Sequence, residues 1–564
     1  MSFSLFGNAL QCESGGSHVS ISQFPTVCKR AIDNRTWVWS QGRNAWRLSL
    51  SQKSERIQTL RRWRMRTKLA WSRVWGRWLA IVSLSVACSG AIVTGKETEK
   101  KSHTTTAPQE LRAVWASTLS PCMNSPEEIQ ALVSAVRRAH INTVIAQVRH
   151  RGNTWYNSEI EPPAPEWSER KGFDPLATLL REAHEPTTGA QRLDVYAWFN
   201  IFSFGDPDST RTKGLGTALR HKIRDWLSYD TSGTRTTFLD PGLPEVQEHL
   251  LSLIEECVRK YDVDGVNLDF IRYPETEAGY HPRAIERFNR LYGRSGTPSP
   301  NDPQWNEFRR AQVTGFVRRV AATVWSVRPN AVVSVCAVGF GAPAADGDFT
   351  KSAPYRQVHQ DWAGWAREGC VDIVTRMGYK REHVAAHAKQ FRDWAALSRR
   401  LQDECAGRLV TLGIGGFFNS TTGTLAQYRV AKELGLGTSL FSYWRPTVES
   451  DTTKAYGAES PFWDLLGQEI YPEAVDPPRP TWRNAVATLA VSVRDPKGRA
   501  LDGAQVSVSG KASKQERADG NGWAVFVNLT PGKYRIEVKS GSQRLVREVE
   551  AKAGKVDFVK LTLK

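Results

Sequence analysis

Eight short apolar runs, each followed by an amphipathic pattern, constrain this chain more than any other feature. They lie at Arg112 to Ala116, Thr143 to Arg149, Asp194 to Asn200, Gly265 to Asp269, Val332 to Val338, Asp372 to Met377, Leu409 to Ile414 and Gly437 to Ser442. Runs such as "VVSVCAV" and "LVTLGI" are continuous rather than alternating, which suits parallel strands covered on both faces. The segments between them carry helix signals. "SPEEIQALVSAVRRAH" offers Ser125 as cap, Pro126 at the first helical position and Glu128 for a capping box, with Ile129, Leu132, Val133 and Val136 on one face. "DPGLPEVQEHLLSLIEECVRKY" repeats the design with Val246, Leu250, Leu253, Ile254 and Cys257. Eight strands alternating with helices over residues 109–467 predict an α/β fold of the (β/α)8 TIM-barrel type. A doubly wound sheet is the alternative, but it wants a glycine-rich loop after the first strand, and "LRAVWASTLSPCMNS" contains no glycine.

The pattern changes beyond Gly467. Residues 468–484 are proline-rich and aperiodic and read as a linker, while residues 485–564 alternate apolar and polar positions between PKG, DGNG and PG turns. That spacing predicts a small all-β sandwich. At the other end, residues 1–64 lack sustained periodicity and are expected to be disordered or to precede the true start. From Met65, a basic segment, an apolar run from Trp78 and small residues around Cys88 have the layout of an export signal spanning residues 65–88. Cys88 is the candidate lipidation site, a signal anchor is the alternative, and residues 89–108 read as a flexible tether. The expected location is therefore extracytoplasmic: periplasm or membrane-anchored cell envelope.

The formal charge of +18 invites a nucleic-acid reading, but its distribution argues against one. Residues 1–101 hold 17 basic against 5 acidic side chains and residues 483–564 hold 16 against 8, leaving 43 against 45 in the large middle. A phosphate-tracking surface needs its Lys and Arg clustered on the binding domain. The eight cysteines form no CxxC pair, and Cys257, Cys336, Cys370 and Cys405, in or beside apolar segments, read as small buried apolar residues. His383 and His387 stand one helical turn apart without the glutamate of a metalloprotease motif. Neither metal nor other cofactor is expected, and no P-loop, GxSxG or strand-end lysine supports another chemistry.

In a barrel, strand C-terminal ends hold the chemistry. "YDVDGVNLDFIRYPE" ends its apolar run at Asp269, and Pro274 forbids a continued ladder. Asp269 is either a peg held by Arg272 or a reagent. Asn267 shares its face, and the other strand ends supply Arg149, Arg151, Trp198, Asn200, Arg272, Tyr273, Tyr379, Tyr443 and Trp444. Aromatic faces stack on sugar C–H surfaces, and amides and guanidinium groups bond hydroxyls, so these are candidate glycan-binding residues. Glycoside hydrolysis then requires a second carboxyl. Its candidates are Glu159, Glu275 and Glu382, and without one the chain would be a catalytically inactive glycan-binding protein.

The motifs "LRAVWAST", "NTVIAQVRHRGNTWYNSEI", "YAWFN", "LDPGLPEVQ", "VDGVNLDFIRYP" and "GTSLFSYW", in this order, resemble the glycosyl-hydrolase-like family ten of bacterial envelope proteins. The resemblance implies a (β/α)8 barrel and glycosidase activity on a cell-envelope glycan of the peptidoglycan type, with Asp269 at the motif's acidic position. Two departures stand out: Phe270 replaces a second acidic residue, and Arg376 replaces a proline and is expected to alter the mouth's shape and charge. The C-terminal "LTPGKY" and "DGNG" segments resemble carboxypeptidase regulatory-like sandwiches.

Overall fold

The computed structural model describes residues 110–185, 190–209, 215–405 and 407–564, together with the backbone of two further strands. Those strands, Trp37–Gly42 and Ala45–Leu50, pair antiparallel as a separate ribbon. This ribbon was not expected from the sequence. The expected export segment, Cys88 and the tether lie outside the described residues.

The eight apolar runs become β1 (Arg112–Ala116), β2 (Thr143–His150), β3 (Asp194–Asn200), β4 (Gly265–Asp269), β5 (Val332–Val338), β6 (Ile373–Met377), β7 (Leu409–Gly415) and β8 (Thr438–Phe441). Each pairs in parallel with its sequence neighbours, and β8 pairs with β1, closing the barrel. The main helices outside it are α1 (Pro126–Arg138), α2 (Pro175–His184), α3 (Pro244–Lys260), α4 (Pro303–Val327), α5 (Trp362–Glu368), α6 (Ala385–Glu404), α7 (Thr421–Glu433) and α8 (Phe462–Glu469).

Alternation along each strand divides the core. Trp115, Ile145, Tyr196, Trp198, Cys336 and Ile373 fill the barrel interior. Their neighbours Val114, Val144, Val195, Val266 and Val335 face the helices. The expected helical faces are the buried ones: Ile129, Leu132, Val133 and Val136 on α1, and Val246, Leu250, Leu253, Ile254 and Cys257 on α3. Burying each large aliphatic side chain contributes about 1.5–3 kcal/mol. Ser125 Oγ accepts from Glu128 N, and Glu128 Oε2 accepts from Asn124 N, which fixes where α1 begins.

The proline-rich stretch expected as a linker is a strap under the barrel's base. Arg112 Nη1 donates to Glu473 O over 2.6 Å, and Arg479 pairs with buried Asp194 over 2.6 Å. The Arg112 contact, like those of Asn142 and Gln191 with Val475, is made to a backbone carbonyl, which leaves no periodic signature. The sandwich follows as two sheets. One is β12–β9–β15 and the other β11–β10–β13–β14, with β9 Ala487–Arg494, β10 Gln505–Gly510, β11 Ser513–Arg517, β12 Trp523–Leu529, β13 Gly532–Ser540, β14 Gln543–Ala551 and β15 Val556–Thr562. It has its own core around Val491, Val506, Phe526, Ile536 and Val538. It is fastened to the barrel's helices by Arg287, whose guanidinium forks onto Asp502 with both contacts at 2.7 Å, and by Arg318, which reaches Glu368 and Glu516, each over 2.7 Å.

Candidate active site

Asp269 is the last residue of β4, and Asn200, the last of β3, is its register partner. Asn267, two residues earlier, is sealed in the barrel. Its Nδ2 donates to Ser334 Oγ over 2.8 Å, its Oδ1 receives the Cys336 thiol at 3.0 Å, and no solvent reaches it. Asn267 is therefore a rung of the internal polar layer rather than a sugar ligand, and Asp269 stands one layer above it.

Two donors hold the Asp269 carboxylate. Phe270 N lies 2.7 Å from Oδ1 and Trp198 Nε1 lies 3.2 Å from Oδ2. Phe270 has φ +49°, left-handed backbone that costs a bulky residue on the order of 1–2 kcal/mol. Its ring meets Phe238 at 5.9 Å and carries the Arg272 guanidinium at 5.0 Å. The strained turn thus ends the strand, aims an N–H at the carboxylate and sets Arg272 on the aromatic face. Burial pushes the Asp269 carboxyl up to about 6, against the opposing pull of Phe270 N–H, Arg272 and Trp198 N–H. A carboxyl with a pKa near 6 is suited to acid or base chemistry near neutral pH.

The surrounding wall is aromatic and amide. Trp198 and Tyr379 both contact Phe441, at 6.3 and 5.6 Å between ring centroids, and Tyr379 also meets Trp115 and Phe417. Gln147, which was not singled out in the sequence, ties the wall together. Its Oε1 accepts from Thr118 N and Oγ1 at 3.0 and 2.7 Å, and its Nε2 donates to Asn200 Oδ1 over 3.1 Å. Its position two residues before Arg149, on the inward face of "IAQVRH", was the available signal. Phe340, 43% exposed with Arg272 6.0 Å from its ring, and the stacked Trp444–Tyr456 pair, 5.3 Å apart, form further aromatic surface on the loops after β5 and β8.

Several expected ligands are elsewhere. Arg149 is fully buried: a bulge between Gln147 and Arg149 turns it into a fork on Glu161, with both contacts at 2.8 Å. Burial would raise Glu161, but Arg149 and His249 more than offset it and hold its carboxyl at about 2. Tyr273 is packed edge-on against His359, and Tyr443 lies over Trp463 in the helix layer; both are about 1–3% exposed. Arg151 is half-buried with φ +53°, and its stem lies near Gly205. Arg376 does not reach the mouth. It points between β6 and α6, donates to Ser398 Oγ over 3.2 Å and lies near the rings of Phe391 and Trp394, where burial lowers it to about 9.

The three candidate second carboxyls separate equally clearly. Glu159 is exposed and pairs over 2.7 Å with Lys260, the last residue of α3, which places it toward the base of the barrel. Glu382 is committed to Arg392 at 2.7 Å and to Gln427 Nε2 at 3.2 Å. Glu275 stands on the loop that leaves β4 and is held by no ion pair among the described residues; burial, with Glu277 and Asp230 nearby, raises its carboxyl.

A closed parallel barrel carrying an acidic residue on the mouth end of β4, walled by aromatic and amide side chains, defines a protein of the TIM-barrel glycoside hydrolase type. Residues 110–420 match Glycosyl hydrolase-like 10, and the chain belongs to that family; residues 488–564 match the Carboxypeptidase regulatory-like domain. Among curated relatives, Glycosyl hydrolase DigH of Escherichia coli (strain K12) is 28% identical over 308 residues, covering 48% of this chain and 66% of the relative. Glycosyl hydrolase YngK of Bacillus subtilis (strain 168) is 27% identical over 296 residues, covering 48% of this chain and 54% of the relative. The chain thus spans less than two thirds of either relative's length. Among solved structures, the PgaB (BpsB) glycoside hydrolase domain from Bordetella bronchiseptica aligns with a TM-score of 0.47 at 14% identity, over 65% of this chain and 100% of that one.

Proposed function

We propose that this protein is a glycosidase of the cell envelope, acting on a glycan of the peptidoglycan type, with Asp269 as a catalytic carboxyl. The observation that carries this reading is the setting of Asp269: at the top of β4, between two N–H donors, raised to about 6, beside Arg272 and the aromatic wall. In such a reaction one carboxyl protonates the leaving oxygen, while another acts as nucleophile or as base for water. Glu275 is our candidate partner, because Glu159 and Glu382 are neutralised by cations. Trp198 and Phe270 N–H hold Asp269, and Tyr379, Phe340 and Trp444 supply stacking surface. The relatives' printed names support hydrolysis, and the exported, envelope-held location is the one the sequence suggests.

A second reading, a catalytically silent glycan binder, is favoured by one observation: the groups acting on Asp269 are Phe270 N–H, Arg272 and Trp198, none of them a carboxyl. Incubating the protein with peptide-free wall glycan and with α- and β-glucans, then weighing the products, separates the two. New reducing ends from any of these support the enzyme. Binding without a change in product mass on every substrate supports the binder.

A further inference from the structure

The joint between barrel and sandwich contains a cleft of about 310 Å³, walled on one side by α4 and on the other by β11 and β12. Its floor is open because α4 presents Ala311 and Gly315 there. A Cβ added at Gly315 would meet nothing within 4 Å, yet mid-helix glycine costs roughly 1 kcal/mol relative to alanine. Packing does not require that glycine, and its lack of a side chain helps leave the floor of the cleft open.

The cleft's polar groups are of both signs. Arg319 is 5% exposed and its Nη1 has no hydrogen bond, and Asp519 Oδ2, 3.6 Å from Arg319 Nε, also has none. Buried polar atoms are normally satisfied, so this enclosed donor and acceptor are an unmet pair in the wall of the cleft. Tyr292 and Trp523, both part-exposed, add aromatic surface to the lining, with Phe308 buried behind it. An anion here would face Asp519 and Glu516, and a cation would face Arg318 and Arg319. A neutral polyol uses both, since each hydroxyl donates and accepts while its C–H face lies on an aromatic ring. We infer that this joint is a second carbohydrate-binding site, for a sugar unit of a glycan chain, separate from the barrel mouth.

Calorimetric titration of the full chain carrying Asp269→Asn, which leaves the cleft untouched, with chitotetraose, cellotetraose and maltotetraose tests this. Gly315→Phe on that background fills the cleft without a steric clash at Cβ, and its Tm should be unchanged or higher. The expected result is that Gly315→Phe weakens binding of at least one of the three by about tenfold or removes one of two binding steps. Superposable titrations for all three sugars, or no binding of any by the parent, overturn the inference. Turnover at the mouth is not read in this comparison, so its outcome is separate from that of the proposed activity.

Discussion

Trp198 Nε1 donates to Asp269 Oδ2 over 3.2 Å from the neighbouring strand, two residues before Asn200, the register partner of Asp269. The indole favours the charged carboxylate and so holds its pKa below what burial alone would give. Trp198→Phe removes that donor while keeping most of the ring. The acid limb of the activity–pH profile should move upward by roughly one unit with little loss of fold, which a kcat/KM profile across pH 4 to 8 would show. An unmoved limb would separate Trp198 from the titrating group.

Phe270 occupies left-handed backbone next to Asp269, and aspartate tolerates that conformation better than phenylalanine. Phe270→Asp would also set a like charge beside Asp269. Its carboxyl should then titrate higher still, by about one unit or more, and the same pH profile measures it. A profile shifted downward would contradict the electrostatic account.

The Arg149–Glu161 fork is wholly enclosed, with Glu161 also receiving His249 at 3.0 Å. Glu161→Ala leaves a buried guanidinium with neither carboxylate oxygen. Stability should fall by about 3–5 kcal/mol by urea denaturation. Replacing both partners, Arg149→Met with Glu161→Leu, should recover much of that loss, because it leaves no uncompensated charge.

Among the candidate second carboxyls, Glu275→Gln should lower kcat by about 100-fold or more, whereas Glu159→Gln and Glu382→Gln should each stay within a few-fold of the parent. Comparable rates for all three variants would remove Glu275 from the chemistry.

The barrel was legible because β1, β3, β4 and β5 are buried on both faces, and continuous apolar runs are what such strands require. Helix entries were equally plain where caps mark them, as at Ser125. The site was only partly legible. Alternation put Asp269 and Asn267 on one face, with Asp269 uppermost, but could not tell that Asn267 is sealed off by its bonds to Ser334 and Cys336. Arg149 was misplaced because a bulge re-aims it, and bulges leave no mark in apolar periodicity. Arg376 was misplaced by parity: on β6 it is Thr375 that faces inward, toward Asn267, so Arg376 faces the helices. Tyr273 and Tyr443 lie beyond their strand ends, where the period of two no longer applies, and the strap below the barrel is held by backbone carbonyls that no side-chain pattern reports.

The central claim rests on Asp269, and Asp269→Asn tests it on two axes. Its carboxyl is raised to about 6 in the fold, so the folded state binds the proton more tightly than the unfolded chain does. Stability from this group is full below the unfolded value and is lost as pH rises toward 6, by about 3 kcal/mol in all. Asparagine removes that loss but turns its NH2 toward one of the two donors, Phe270 N or Trp198 Nε1, so at pH 7 the variant should stay within about 1–3 kcal/mol of the parent. The decisive measurement is turnover of whichever glycan the parent cleaves, beside urea denaturation at pH 7. The account predicts a fall in kcat of about 1000-fold in a variant that remains folded at pH 7; unchanged turnover in that folded variant would contradict it.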